Sequence, residues 1–214
     1  MTPAQASTRA REYCAIAPIV PVLVVDSASH ARPLAEALIA GGLPMLEVTL
    51  RTPAALDVIR EMAAVKGGIV GAGTVLTLAD VEAAKAAGAK FAVSPGATDA
   101  LLAACEAADL PLLPGAATAS EAMRLLERGY DMFKFFPAEN IGGAPVLKAL
   151  GAPLPQIAFC PTGGINPANA LSYLALPNVL CAGGSWVAPK PLVQDGKWDE
   201  IQALAASASR LGKA

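Results

Sequence analysis

The sequence predicts a single (β/α)8 barrel, and three observations carry that prediction. Eight short apolar runs alternate with alanine- and leucine-rich stretches of helical period. The 214 residues suit one compact barrel with short loops, since the fold begins at roughly 200 residues. The second apolar run, with the arginine that follows it, puts its polar residues Glu47, Thr49 and Arg51 on one face. An open doubly wound sheet is the rival. Its glycine fingerprint is missing after the first run, where Val24-Val25-Asp26-Ser27-Ala28 has no glycine.

The expected strands are 19–25, 45–50, 69–75, 91–95, 112–115, 132–137, 157–162 and 179–184. Helical periodicity fills 31–40, 80–87, 98–107 and 121–127 between them. Thr118 followed by Glu121 matches a capping box. Thr52-Pro53 and Asn166-Pro167 read as a capping side chain before a proline in the first turn. Gly41, Gly88 and Gly129 follow their helices, where a left-handed residue ends a helix at low steric cost. Composition does not shift along the chain, so one domain is expected over 1–214, with residues 207–214 a fraying helix end.

Bulk properties exclude several functions. The net charge is −2, aromatic residues make up 5% and no basic run occurs, which argues against a nucleic-acid partner. At 54% hydrophobic and 16% charged, the chain must bury a large core, yet no run approaches the ~18 apolar residues of a membrane span. The first twelve residues are polar and lack the order of a secretory signal, so a cytoplasmic protein is expected. Cys14, Cys105, Cys160 and Cys181 lie far apart, and His30 is the only histidine. These counts oppose a disulfide framework, a His/Cys metal centre and a histidine-based triad; the cysteines read as small buried hydrophobes.

The expected chemistry starts at the sixth strand, Asp131-Met132-Phe133-Lys134-Phe135-Phe136-Pro137. Alternation puts Met132, Lys134 and Phe136 on one face and Phe133 and Phe135 on the other, so Lys134 sits in an apolar setting. Such a setting disfavours an ammonium and favours a neutral amine, which attacks carbonyls to form imines. A lysine that snorkels to water or pairs with a carboxylate is the plain alternative. On the second strand, Glu47, Thr49 and Arg51 share a face opposite Leu46, Val48 and Leu50, and helices outside a barrel turn the polar set inward. There Glu47 and Arg51 either form a structural ion pair or act on a substrate.

Strand ends add Gly71-Ala72-Gly73-Thr74, Ser94-Pro95-Gly96, Thr162-Gly163-Gly164 and Gly183-Gly184-Ser185. The glycines of the third strand are expected to let a ligand approach the backbone. Amides after the last two strands are the usual phosphate site of this fold. An imine-forming lysine, a carboxylate, a cation and a phosphate cup together imply a phosphorylated keto acid cleaved beside its ketone.

Four segments, 46–52, 70–75, 133–139 and 159–165, resemble 2-keto-3-deoxy-6-phosphogluconate (KDPG) aldolase and 4-hydroxy-2-oxoglutarate aldolase, and the likeness runs from Ile19 to Trp186. The resemblance implies a homotrimeric TIM barrel that cleaves KDPG to pyruvate and glyceraldehyde 3-phosphate in the Entner-Doudoroff route, often cleaving 4-hydroxy-2-oxoglutarate as well. No cofactor or metal is implied. Lys134 would form the imine and Glu47 would be the general acid/base. Arg51 and Thr74 would hold the pyruvate carboxylate, with Pro95 and Phe136 as pocket walls. Thr162, Gly163, Gly164, Gly184 and Ser185 would face the rest of the substrate and its phosphate. Asn140 and the stretch from Pro189 onward match no functional pattern. Two other classes fit the residues less fully. One is a phosphosugar isomerase or epimerase in which a charged Lys134 stabilises an enolate. The other is a non-catalytic anion-binding barrel using Gly163, Gly164 and Arg51.

Overall fold

The computed structural model describes residues 1–212, and residues 213 and 214, part of the expected fraying end, lie outside them. In chain order the elements are α1 (Pro3–Cys14), β1 (Ile19–Leu23), α2 (Ala31–Ala40), β2 (Met45–Thr49), α3 (Ala55–Ala63), β3 (Ile69–Gly73), α4 (Leu78–Ala86), β4 (Ala92–Val93), α5 (Asp99–Ala107), β5 (Leu112–Leu113), α6 (Ala119–Arg128), β6 (Met132–Phe135), α7 (Gly143–Gly151), β7 (Ala158–Pro161), α8 (Ala170–Leu174), β8 (Ala182–Gly184), α9 (Lys190–Gln194) and α10 (Trp198–Ala208). Short 3-10 turns at Ala28–His30 and Glu139–Ile141 lead into α2 and α7.

The fold is α/β with parallel strands throughout. One sheet runs β5-β4-β3-β2-β1-β8 and the other pairs β6 with β7. Parallel bridges Gly115↔Lys134 and Thr162↔Gly183 lie at the junctions between the two sheets. Alternation sorts the core into two clusters. Leu46, Val48, Phe133, Phe135 and Phe159 pack against the helices. Val20, Met45, Val93, Leu113, Met132 and Cys160 form a second cluster on the opposite strand face, joined by Ala10 and Cys14 of α1. Each fully buried aromatic or large aliphatic side chain contributes about 1.5–3 kcal/mol.

All eight expected strands are present, each one to three residues shorter than its apolar run. The Thr118–Glu121 capping box forms, and Gly88 and Gly129 are left-handed at φ 97° and 104°. Gly41 instead stays right-handed at φ −75°, and Gly42 takes the left-handed turn at φ 87°. The proposed Thr52 cap does not operate, whereas the Asn166 one does. Thr52 Oγ1 donates to the Val25 carbonyl at 2.7 Å, and α3 starts later, at Ala55. Asn166 Oδ1 accepts from the Ala168 N–H at 2.9 Å and its carbonyl from the Ala170 N–H at 2.9 Å, capping the turn that leads into α8. Helix α1 is absent from the sequence reading because its periodicity is weak. It is announced instead by a reciprocal Thr2–Gln5 capping box with Pro3 in the first turn. Arg11 anchors it through Asp131 at 2.9 Å.

Candidate active site

Outward anchoring of β6 decides where Lys134 points. Phe133 and Phe135 both meet Phe159 edge-on, with ring centroids 5.8 and 5.9 Å apart, and are fully buried. The intervening residue must face the other way. Its backbone is held on the β5 side, by donation to the Pro114 carbonyl at 2.8 Å and acceptance from the Ala116 N–H at 2.9 Å. The Lys134 ammonium position lies 3.1 Å from Glu47 Oε1, and the two residues are 5% and 3% exposed. Lys134 Nζ also lies 5.5 Å from the centroid of the Phe136 ring, which projects past the end of β6.

A buried lysine–carboxylate pair is expensive to desolvate, and breaking one by removing a partner costs about 3–5 kcal/mol. The fold makes room for it deliberately: a Cβ on Gly73 would sit 2.3 Å from Glu47 Oε1. Gly71 is likewise filled by the Phe91 ring, at 2.5 Å or closer. The expectation that these glycines admit a ligand is therefore corrected, since neighbouring side chains already use their space. Thr49 shares the Glu47 face, is buried, and donates to the Leu23 carbonyl at 2.9 Å.

Arg51 corrects a second expectation. Strand β2 ends at Thr49, so alternation no longer governs position 51, and Arg51 is exposed in the turn that follows. The buried partner of Glu47 is Lys134, not Arg51. Thr74, at the end of β3, holds φ +60°, a conformation costly for a non-glycine residue and concentrated at ligand sites. Pro95 is half-buried, and its carbonyl would lie 2.2 Å from a Cβ on Gly115. Thr162 is buried and its Oγ1 has no hydrogen-bond partner among the described residues. Gly163 and Gly164 follow β7 with φ 104° and 78°. Gly184 lies inside β8, where a Cβ would strike the Trp186 ring at 2.1 Å, and Ser185 beyond it is exposed.

The arrangement can do specific work. An amine and a carboxylate in hydrogen-bond contact, both shielded from water, can pass a proton between a reacting carbon and the carboxylate. Backbone N–H groups after β7 can meet an anion.

Comparison with known proteins agrees with this geometry. The profile of the KDPG and KHG aldolase family matches residues 10–204. The chain belongs to that family. It is 56% identical to 2-dehydro-3-deoxy-phosphogluconate aldolase of Pseudoalteromonas atlantica, over 89% of each chain. It is 50% identical to KHG/KDPG aldolase of Escherichia coli, over 94% of this chain and 95% of the other. A crystal structure of KDPG aldolase from Legionella pneumophila, with pyruvate captured at low pH as a covalent carbinolamine intermediate, superposes with TM-score 0.90. It is 46% identical, covering 93% of this chain and 97% of that one.

Two clusters in this KDPG and KHG aldolase family member escaped the sequence reading. The Thr162↔Gly183 bridge puts Cys160 and Cys181 side by side two residues upstream, and Cys14 of α1 joins them. Contact with Cys160, with burial adding, holds the Cys14 thiol well above its ordinary value. Contact with Cys14 and then with Cys181 lowers Cys160, and the Lys134 charge adds to this. Among the described residues no group of three or more His, Cys, Asp or Glu side chains is placed to hold a metal ion. The second cluster joins Glu139 to Tyr173, whose hydroxyl donates to Glu139 Oε1.

Proposed function

We propose that the protein is a class I aldolase that cleaves KDPG to pyruvate and glyceraldehyde 3-phosphate through an imine on Lys134. The observation that carries this is the buried contact of Lys134 Nζ with Glu47 Oε1 at 3.1 Å. The Lys134 amine adds to C2 of the keto acid, and loss of water gives an iminium. Glu47, directly or through a water, takes the C4 hydroxyl proton as the C3–C4 bond breaks. The bonding pair moves into the iminium, leaving the enamine of pyruvate and releasing the aldehyde. Glu47 returns the proton to C3, and hydrolysis frees pyruvate and the amine.

Arg51 and Thr74 would bind the substrate carboxylate, and Pro95 and Phe136 would wall the pocket. Thr162, Gly163, Gly164, Gly184 and Ser185 would receive the distal end. Arg51 is exposed two residues beyond β2, so it would reach the carboxylate from the mouth. Cleavage of 4-hydroxy-2-oxoglutarate to pyruvate and glyoxylate belongs to the same reading, supported by the relative from E. coli whose name covers both substrates.

The architecture proposed with this is a single-domain, closed eight-stranded barrel. The junction bridges support it, as does the contact between β2 and β6, strands far apart in the ladder order whose side chains nevertheless meet. A homotrimer and a cytoplasmic location complete the proposal; no described helix is long and apolar enough to cross a membrane.

Glu47→Gln tests the assignment of roles. It keeps the volume of the buried contact and removes the proton carrier. Turnover should fall about 10²–10⁴-fold while pyruvate still becomes trapped on Lys134 by borohydride. Wild-type turnover in this variant would assign the proton to another group.

A further inference from the structure

Every carbonyl of the turn after β7 is occupied. The Thr162 carbonyl accepts from Ala138 N–H at 2.9 Å, and the Gly163 carbonyl from Glu139 N–H at 3.1 Å. The Gly164 carbonyl accepts from the side-chain amides of Asn166 and Asn169 at 3.3 and 3.2 Å. The N–H groups of Gly163 and Gly164 have no protein partner among the described residues. A turn with its oxygens tied back and its amides free is a cradle for an anion.

The side chain that braces this cradle is Glu139. A Cβ on Gly164 would lie 2.7 Å from both Cβ and Cγ of Glu139, so the stem of that side chain is stacked directly against the turn. The carboxylate at its far end accepts from the hydroxyl of Tyr173, which is fully buried. Burial, with Glu139 adding, raises the phenol well above its ordinary value, so it stays a donor. Gly143 completes the joint, since a Cβ there would sit 3.0 Å from the Tyr173 hydroxyl and 3.2 Å from Glu139 Oε1. The segment from β6 to α7 is thereby tied to the buried Tyr173 of α8.

We infer that Glu139 and Tyr173 are positioning residues that hold the Gly163-Gly164 cradle in its anion-binding shape, and so set the preference for a phosphorylated keto acid over a plain one. The inference rests on the proposed aldolase reading, and on that reading neither residue touches the reacting carbons. Loss of the brace should loosen the grip on the distal phosphate and leave imine chemistry at Lys134 unchanged.

The test compares Tyr173→Phe, Glu139→Ala and Glu139→Gln on two substrates. In the first two, KM for KDPG should rise about tenfold with kcat little changed. Cleavage of 4-hydroxy-2-oxoglutarate and borohydride trapping of pyruvate should stay within about twofold. The pair Glu139→Ala/Tyr173→Phe should be no worse than the worse single variant, because both break one contact. Glu139→Gln retains the stem and an acceptor oxygen and should keep nearly normal KM. Equal losses on both substrates, or no loss on KDPG, would overturn the inference. Titration with inorganic phosphate reads the cradle without turnover: about tenfold weaker binding is expected in Tyr173→Phe and Glu139→Ala. Unchanged phosphate binding would overturn the brace even if the aldolase reading failed on its own test, pyruvate trapping.

Discussion

Gly163-Gly164 and Gly183-Gly184 are the same dipeptide at the ends of two neighbouring strands, and they do different jobs. The first pair lies beyond β7 with φ 104° and 78°, in a conformation that only glycine adopts without strain. Its free amides can meet a ligand. The second pair lies within β8, with neither residue left-handed. Its missing side chains are replaced by Thr162, whose Oγ1 would be 2.2 Å from a Cβ on Gly183, and by the Trp186 ring at Gly184. The first pair is glycine for its backbone, with Gly164 also leaving room for the Glu139 stem, and the second only for the space it leaves. The first pair therefore has the left-handed backbone of an anion cradle, while the second stays extended at the end of its strand.

The largest separation between the pairs should come from Gly183→Ala. The new methyl meets the buried Thr162 side chain, with Oγ1 at 2.2 Å and Cγ2 at 3.0 Å. A stability loss of about 1–3 kcal/mol is expected, with reduced turnover on phosphorylated and plain substrates alike. Melting and paired kinetics would check it, and a substrate-selective effect would break the comparison. Gly164→Ala should cost about 1–2 kcal/mol for a left-handed residue, press on the Glu139 stem 2.7 Å away, and be selective in function. Its KM should rise for KDPG and hold for 4-hydroxy-2-oxoglutarate.

The smallest effect serves as the control away from both turns. Glu121 accepts from the Ala117 and Thr118 N–H groups at 2.8 and 2.9 Å in the α6 cap. Burial pushes its carboxyl up, but these bonds and the Thr118 hydroxyl outweigh it and leave it below 4.5. A depressed carboxyl adds stability that is fully present above its unfolded value and is lost as pH falls through its folded one. Glu121→Gln should therefore narrow its stability gap to wild type below about pH 4.5, by less than about 1 kcal/mol because solvent screens an exposed group, with no change in substrate preference. Acid titration of both proteins measures it.

The same contrast between backbone and space shows what the sequence could reveal. Strand number and order were legible because apolar runs between breakers are a local signal, as at Met132–Phe135. Lys134 and Glu47 were legible because alternation within one strand assigns their faces. Arg51 was misplaced because alternation stops where the strand stops, and no local signal marked Thr49 as its last residue. The roles of Gly73 and Gly183 depend on side chains brought in from β2 and β7, and the Cys14, Cys160 and Cys181 cluster depends on register between β7 and β8. Glu139 and Tyr173 stand 34 positions apart and meet only in the folded chain.

The most direct measurement of the central claim is reductive trapping. Borohydride added to the native protein with pyruvate should leave a pyruvate-derived mass on the peptide that contains Lys134, and Lys134→Ala should leave none. A native protein that gains no such mass, or gains it on another lysine, would contradict the account.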